Sequence, residues 1–161
     1  CIKTAQLRAI KQFRKSKLSS SEKTDNVLNE YKVLQELSHP NIVKVHEFFE
    51  DVRFYSIVMD FHDGGDVLNT VIEQVRLTEK EALLLIKTLL PVVAYLHDKG
   101  IIHRDLKPEN LILASKENDY DLRIADFGLA SFIKEGELLK LRCGSPGYVA
   151  PELLNDHGYG T

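Results

Sequence analysis

His103-Arg104-Asp105-Leu106-Lys107-Pro108-Glu109-Asn110 is followed sixteen positions later by Asp126-Phe127-Gly128, and then by Ala150-Pro151-Glu152. In this ordered set Asp105 is a proton acceptor, Lys107 a cation, and Asn110 and Asp126 two hard oxygen ligands. Leu111-Ile112-Leu113 and Leu122-Arg123-Ile124 between them read as a hairpin around a polar turn from Ser115 to Asp121. The four groups therefore fall at the two ends of one short strand-loop-strand unit. Oxygen ligands of this kind suit Mg²⁺, which keeps several waters and takes few protein ligands. Phosphoryl transfer from a Mg-nucleotide needs this combination, because its catalysis is mostly positioning and charge neutralisation. For Asp105 alone a solvated surface loop is the better reading; three motifs in order argue against it.

Upstream, Leu7 to Phe13 reads as a strand with Leu7, Ala9, Lys11 and Phe13 on one face. A lysine on that face is either a solubilising edge charge or a cation directed at a ligand. Phe13 to Ser21 reads as a basic, serine-rich loop. A helix is expected from Asp25 to Leu37, with Val27, Tyr31 and Leu34 as its apolar stripe. Glu30 lies on or beside that stripe, and burying an unpaired carboxylate is costly, so it calls for a partner; Lys11 is the obvious one. His39-Pro40-Asn41 ends the helix, since a residue before proline is driven from helical geometry. Ile42 to Phe49 and Phe54 to Met59 read as strands joined at Glu50-Asp51.

Asp60 to Gly65 carries two glycines and reads as a flexible link, followed by a short helix from Asp66 to Gln74. Thr78-Glu79-Lys80-Glu81 is a capping box that opens a long helix ending near Lys99-Gly100. Its residues are apolar nearly all round, which predicts a buried axis, and Pro91 predicts a kink near Lys87. From its neighbours alone Phe127 reads as an exposed aromatic in a glycine-flanked loop.

The 161 residues, 43% hydrophobic and 28% charged, describe an ordinary globular domain with room for a core. A net charge of -3 gives no pull toward nucleic acid or anionic membrane, so neither is an expected partner. Two cysteines, Cys1 and Cys143, make no disulfide framework and suit a reducing, cytoplasmic setting. No stretch reaches the roughly 20 apolar residues of a membrane span. The start at Cys1 and the end at Gly158-Tyr159-Gly160-Thr161 read as those of an internal fragment.

The three motifs resemble those of eukaryotic Ser/Thr protein kinase catalytic domains, most closely the calcium/calmodulin-dependent and calcium-dependent kinases. The resemblance implies an α+β, two-lobed protein-kinase-like fold, with a small β-rich N-lobe and a mainly helical C-lobe, incomplete at both ends. Residues 1–59 would be a partial N-lobe, 60–65 the hinge and 66–161 a partial C-lobe. The implied reaction passes the γ-phosphoryl group of Mg-ATP to Ser or Thr of protein substrates. A pseudokinase or truncated scaffold with the same fold is the alternative.

The resemblance also implies roles. Asp105 is the catalytic base, Lys107 neutralises the transferring phosphoryl group, and Asn110 and Asp126 hold Mg²⁺. Lys11, in Ala9-Ile10-Lys11, binds the α- and β-phosphates and pairs with Glu30. Ala9 and Ile112 enclose the adenine ring, Met59 is the gatekeeper, and Asp60 to His62 form the hinge. Leu34, Val45, His103 and Phe127 would stack, which makes His103 structural. Ser145 is the hydroxyl residue near the base. Asp66 and Glu109 would pair with arginines of a basic substrate, since carboxylates recognise guanidinium bidentately. The usual activating phosphosite is Leu141 here, so Arg104 has no phosphate to hold; Glu135 or Glu137 is its expected partner, and activation is expected to be independent of phosphorylation there. A calcium-sensing regulatory segment or calmodulin would act from outside this chain.

Overall fold

The computed structural model describes residues 5–18, 21–155 and 157–161. Strand β1 (Arg8–Arg14) and strand β2 (Val45–Glu50) both pair antiparallel with β3 (Phe54–Asp60), the central strand of a three-stranded sheet. The alternation expected along β1 is present: Ala9, Lys11 and Phe13 are half-buried on one face, and Ile10, Gln12 and Arg14 are exposed on the other. Leu7 lies just outside the strand and is exposed. Asp51 closes the turn between β2 and β3, accepting from the N–H groups of Arg53 and Phe54 at 2.6 and 2.7 Å.

Helix α1 (Ser21–Glu36) begins four residues ahead of its expected start, because only glycine and proline strongly oppose a helix and 21–24 contains neither. Val27, Val33, Leu34 and Leu37 are buried, and Tyr31 is half-buried, stacked on Phe48 with ring centroids 4.9 Å apart. The helix ends before His39-Pro40, as expected. Ile42 does not join β2. It forms a parallel bridge to Ile124, with Val43 N–H donating to Ile124 O at 3.0 Å and Ile124 N–H to Asn41 O at 2.8 Å. These bonds tie the sheet half of the chain to the motif-bearing half.

Helix α2 (Val67–Glu73) is capped by Asp66, and α3 (Glu79–Asp98) by the reciprocal bonds of Thr78 and Glu81. Beyond α3, β4 (Ile101–Ile102) pairs with β7 (Ser131–Phe132), and β5 (Leu111–Ser115) pairs with β6 (Asn118–Ile124). The hairpin turn is shorter than its polar composition suggested, since backbone pairing reaches Ser115–Asn118. Gly64 lies against β5: a Cβ there would sit 2.6 Å from both Cβ and O of Leu113, so the link can pass this close only as glycine.

The core gathers residues of α1, α2, α3, β5 and β6 around Phe127, which is completely buried. Phe127 is thus not the exposed aromatic its neighbours suggest but the packed ring the resemblance implies, in one core with Leu34 and with Val45 against it. Helix α3 is not a buried axis either. Leu85, Val92 and Leu96 are buried, whereas Leu83, Ile86 and Leu90 remain 51%, 46% and 61% exposed along one stripe. The described residues cover only one side of this helix.

Candidate active site

On the sheet side, Lys11 Nζ lies 2.7 Å from Glu30 Oε1 and 2.7 Å from Asp126 Oδ1. β1 supplies the cation, α1 the buried carboxylate and the Asp-Phe-Gly loop the exposed one, so the pairing proposed between Lys11 and Glu30 is present. The open reading of Lys11 is decided against a solubilising edge charge, since its ammonium turns inward. Burial pulls the Lys11 ammonium down, but Glu30 and Asp126 outweigh it and hold it above its ordinary value. Burial pushes the Glu30 carboxyl up, with Lys11 opposing. Asp126 sits at a positive φ of 57°; burial raises its carboxyl, yet Lys11 outweighs that and keeps it below the usual carboxylate range.

In the loop after β4, Asp105 Oδ1 accepts from the Ser145 N–H at 2.8 Å, and its Oδ2 lies 3.2 Å from Lys107 Nζ. Lys107 also donates to Ser145 Oγ at 2.5 Å. Here too burial raises the Asp105 carboxyl, but Ser145 and Lys107 outweigh it and the net displacement is downward, so Asp105 is anionic at neutral pH. Asn110 is buried and turns its NH₂ to Asp105, donating to O at 2.8 Å and Oδ2 at 3.2 Å. That orients its carbonyl oxygen away from Asp105. Asp126 offers one hard carboxylate oxygen beside Lys11, and among the described residues no group of three or more His, Cys, Asp or Glu is placed to hold a metal. The Lys11 ammonium and the half-exposed Asp126 carboxylate line one cavity, a charge arrangement that fits a phosphate with a cation.

Asp105 lines two cavities at once. One is bordered by Lys11, Glu30, Asp126 and Gly128, and the other by Arg104, Ser145, Tyr148, Val149 and Glu152.

The remaining candidates are spread around these groups. Ala9 is the cross-strand partner of Met59, and Val45 faces Met59 from β2. Asp60 Oδ1 accepts from Arg8 Nη1 and lies against His46 Nε2, both at 2.7 Å, a brace that sequence reasoning missed because Arg8 and His46 stand on different strands. His62 Nε2 is buried with no partner among the described residues. Ile112 bridges to Asp66. The Asp66 carboxylate is engaged by the Asn69 N–H and Nδ2 at 2.9 and 2.6 Å, whereas Glu109 is exposed.

Arg104 does not pair with Glu135 or Glu137. Its Nε donates to Leu129 O at 2.6 Å and its Nη1 to the Tyr159 hydroxyl at 3.4 Å, because the segment carrying the two glutamates turns outward and leaves them exposed. Tyr159 was not anticipated; the glycines on either side of it are the one signal in the sequence, marking a close backbone approach.

His103 and Phe127 meet edge-on with centroids 4.7 Å apart. The His103 Nδ1 accepts from Asp105 N–H at 3.2 Å, which leaves Nε2 to donate to Ala125 O at 3.1 Å, the neutral tautomer. Burial holds its pKa below 6.5. The unfolded chain therefore binds the extra proton first, and the stability this group contributes above pH 6.5 is lost as pH falls through its folded value. Melting curves are expected to shift downward between pH 7 and 5.5, and less so in His103→Phe; equal shifts in both would refute the assignment.

A model of the protein kinase domain matches residues 1–161. Calcium/calmodulin-dependent protein kinase type IV of Homo sapiens is 46% identical over 134 residues, covering 83% of this chain and 28% of that protein. Serine/threonine-protein kinase DCLK3 of Mus musculus is 42% identical over 158 residues, 98% of this chain and 20% of that protein. Myosin light chain kinase A of Dictyostelium discoideum is 41% identical over 156 residues, 97% of this chain and 52% of its own length. The chain thus spans between about a fifth and about half of these curated relatives. No helix among the described residues is long and apolar enough to cross a membrane. With the Lys11–Glu30 ion pair, the Asp105 loop and a family model matched end to end, this chain belongs to the protein kinase domain family, and DCLK3 among its relatives is named a serine/threonine-protein kinase.

Proposed function

We propose that the protein containing this chain transfers the γ-phosphoryl group of Mg-ATP to serine or threonine hydroxyls of Arg-containing protein substrates. One observation carries the reading: Asp105 borders both the cavity of Lys11 and Asp126 and the cavity of the 143–153 segment. A base in that position can accept a proton from a hydroxyl on one side while phosphate is held on the other. Lys11 would hold the α- and β-phosphates, Asn110 and Asp126 the Mg²⁺, and Lys107 the transferring group. Ala9, Met59, Asp60, His62 and Ile112 would enclose and hydrogen-bond the adenine, with 60–65 as hinge between a lobe of 1–59 and a lobe of 66–161. Of the two carboxylates proposed for substrate arginine, Glu109 is the freer, since Asp66 already caps α2. A calcium-sensing segment or calmodulin would regulate the protein from outside this chain, in a cytoplasmic setting.

The test is transfer of label from γ-labelled Mg-ATP to a serine peptide with arginine upstream, by the full-length protein, against the same peptide with arginine replaced by alanine. Transfer favouring the arginine peptide is the expected result. Absence of transfer, with Mg-ATP still raising the melting temperature, would overturn the reading in favour of a nucleotide-binding scaffold.

A further inference from the structure

We propose that the Tyr159 hydroxyl is a positioning group that fastens the segment from Leu139 to Ser145 to the catalytic loop, setting the acceptor side of the site and leaving the nucleotide side alone. The proposal rests on the transfer reading above.

Tyr159 is 8% exposed, and its hydroxyl donates to Leu141 O at 2.6 Å. A phenol has one proton to give and lone pairs to accept with. With the proton committed to Leu141, the oxygen faces Arg104 Nη1 at 3.4 Å, and Cys143 Sγ lies 3.8 Å away. The backbone reinforces the contact: Leu139 and Tyr159 exchange both N–H···O bonds, at 2.8 and 2.9 Å. Gly158 has φ +81°, and a Cβ there would lie 2.9 Å from Leu139 O, so the approach depends on glycine.

Arg104 is the other half of the fastening. It sits at φ 66°, an uncommon conformation for a non-glycine residue, and is held at Leu129 O and at Tyr159. The far end of the segment is held independently. A Cβ on Gly144 would lie 2.9 Å from Arg104 O, and Ser145 bonds Asp105 and Lys107 directly. Residues 141–145 are thus strung between the phenol and the catalytic residues, and Cys143, Ser145 and Tyr159 line the acceptor-side cavity. None of them lines the cavity of Lys11 and Asp126. Burial keeps the phenol above its ordinary pKa, so the donor to Leu141 persists at neutral pH.

Tyr159→Phe in the full-length protein removes the hydroxyl and keeps the ring. Losing one buried hydrogen bond predicts a rise of about tenfold in peptide KM and about tenfold faster backbone hydrogen exchange over 139–145, with ATP KM changed by less than about twofold. A melting temperature that falls while peptide KM stays constant would make the hydroxyl merely structural and overturn the proposal. So would equal changes in both KM values. Unchanged exchange over 139–145 overturns it whether or not the protein transfers phosphate. Absence of transfer by the unsubstituted protein overturns only the function on which it rests, because the exchange measurement needs no activity.

Discussion

Replacing Asp105 by asparagine is expected to lower phosphoryl transfer by about 10²- to 10⁴-fold, the usual worth of a positioned general base, while Mg-ATP binding survives. The carboxylate does two things an amide cannot. It accepts from three donors, Ser145 N–H, Lys107 and Asn110 Nδ2, and it carries the charge that pairs with Lys107. An amide would keep one accepting oxygen and turn an NH₂ toward a donor in either orientation. With Oδ1 kept on Ser145, the NH₂ faces Lys107 and Asn110; flipped, it faces the Ser145 N–H. A local stability loss of about 1 to 2 kcal/mol should follow. Nucleotide affinity should not, since Lys11, Glu30 and Asp126 form their own cluster. Turnover and ATP-induced thermal stabilisation measured on one preparation separate the two effects. An Asp105→Asn protein that transfers phosphate at the original rate would remove Asp105 from the role of base.

The parts of this molecule legible in the sequence are those specified within a turn or a strand. The capping box of α3 needs only Thr78 and Glu81, and the strand face of β1 only its alternation. The pairing of Lys11 with Glu30 was legible for a different reason: each was out of place alone, and a buried carboxylate demands a cation. The misreadings share a cause as well. Phe127 looks exposed when read from Asp126 and Gly128 beside it, and only the resemblance places it in the stack that α1 and His103, distant in sequence, provide. Leu83, Ile86 and Leu90 looked like core because the sequence records hydrophobicity and not what covers it. Arg104 was assigned to glutamates by charge, but a guanidinium is equally satisfied by a carbonyl and a phenol oxygen, which have no charge signature to read.

Lys11→Met is expected to abolish productive phosphate binding and to destabilise the fold in a way that depends on pH. Removing the ammonium leaves the Glu30 carboxylate at 2% exposure without its cation. Protonation is always available to relieve that charge, which caps the penalty. At pH 7, protonating a carboxyl of ordinary value 4.5 costs about 3 kcal/mol, and at pH 5.5 about 1 kcal/mol. The sign follows: once Lys11 is gone, Glu30 in the folded state titrates above the unfolded value, so the variant loses stability as pH rises and recovers it as pH falls. Asp126 contributes little to this loss, since its side chain is half exposed and water replaces the lost partner. The double variant Lys11→Met, Glu30→Leu removes both charges; replacing a buried pair with apolar side chains is often neutral, so its stability should return toward that of the unsubstituted protein. Its phosphoryl transfer should not, because the cation for the phosphates is still missing. Denaturant midpoints at the two pH values, with transfer rates for all three proteins, test both halves. Equal destabilisation of Lys11→Met at pH 7 and 5.5 would show that Glu30 is not the buried charge Lys11 serves, and restored transfer in the double variant would show that Lys11 is needed for the fold and not for the phosphates.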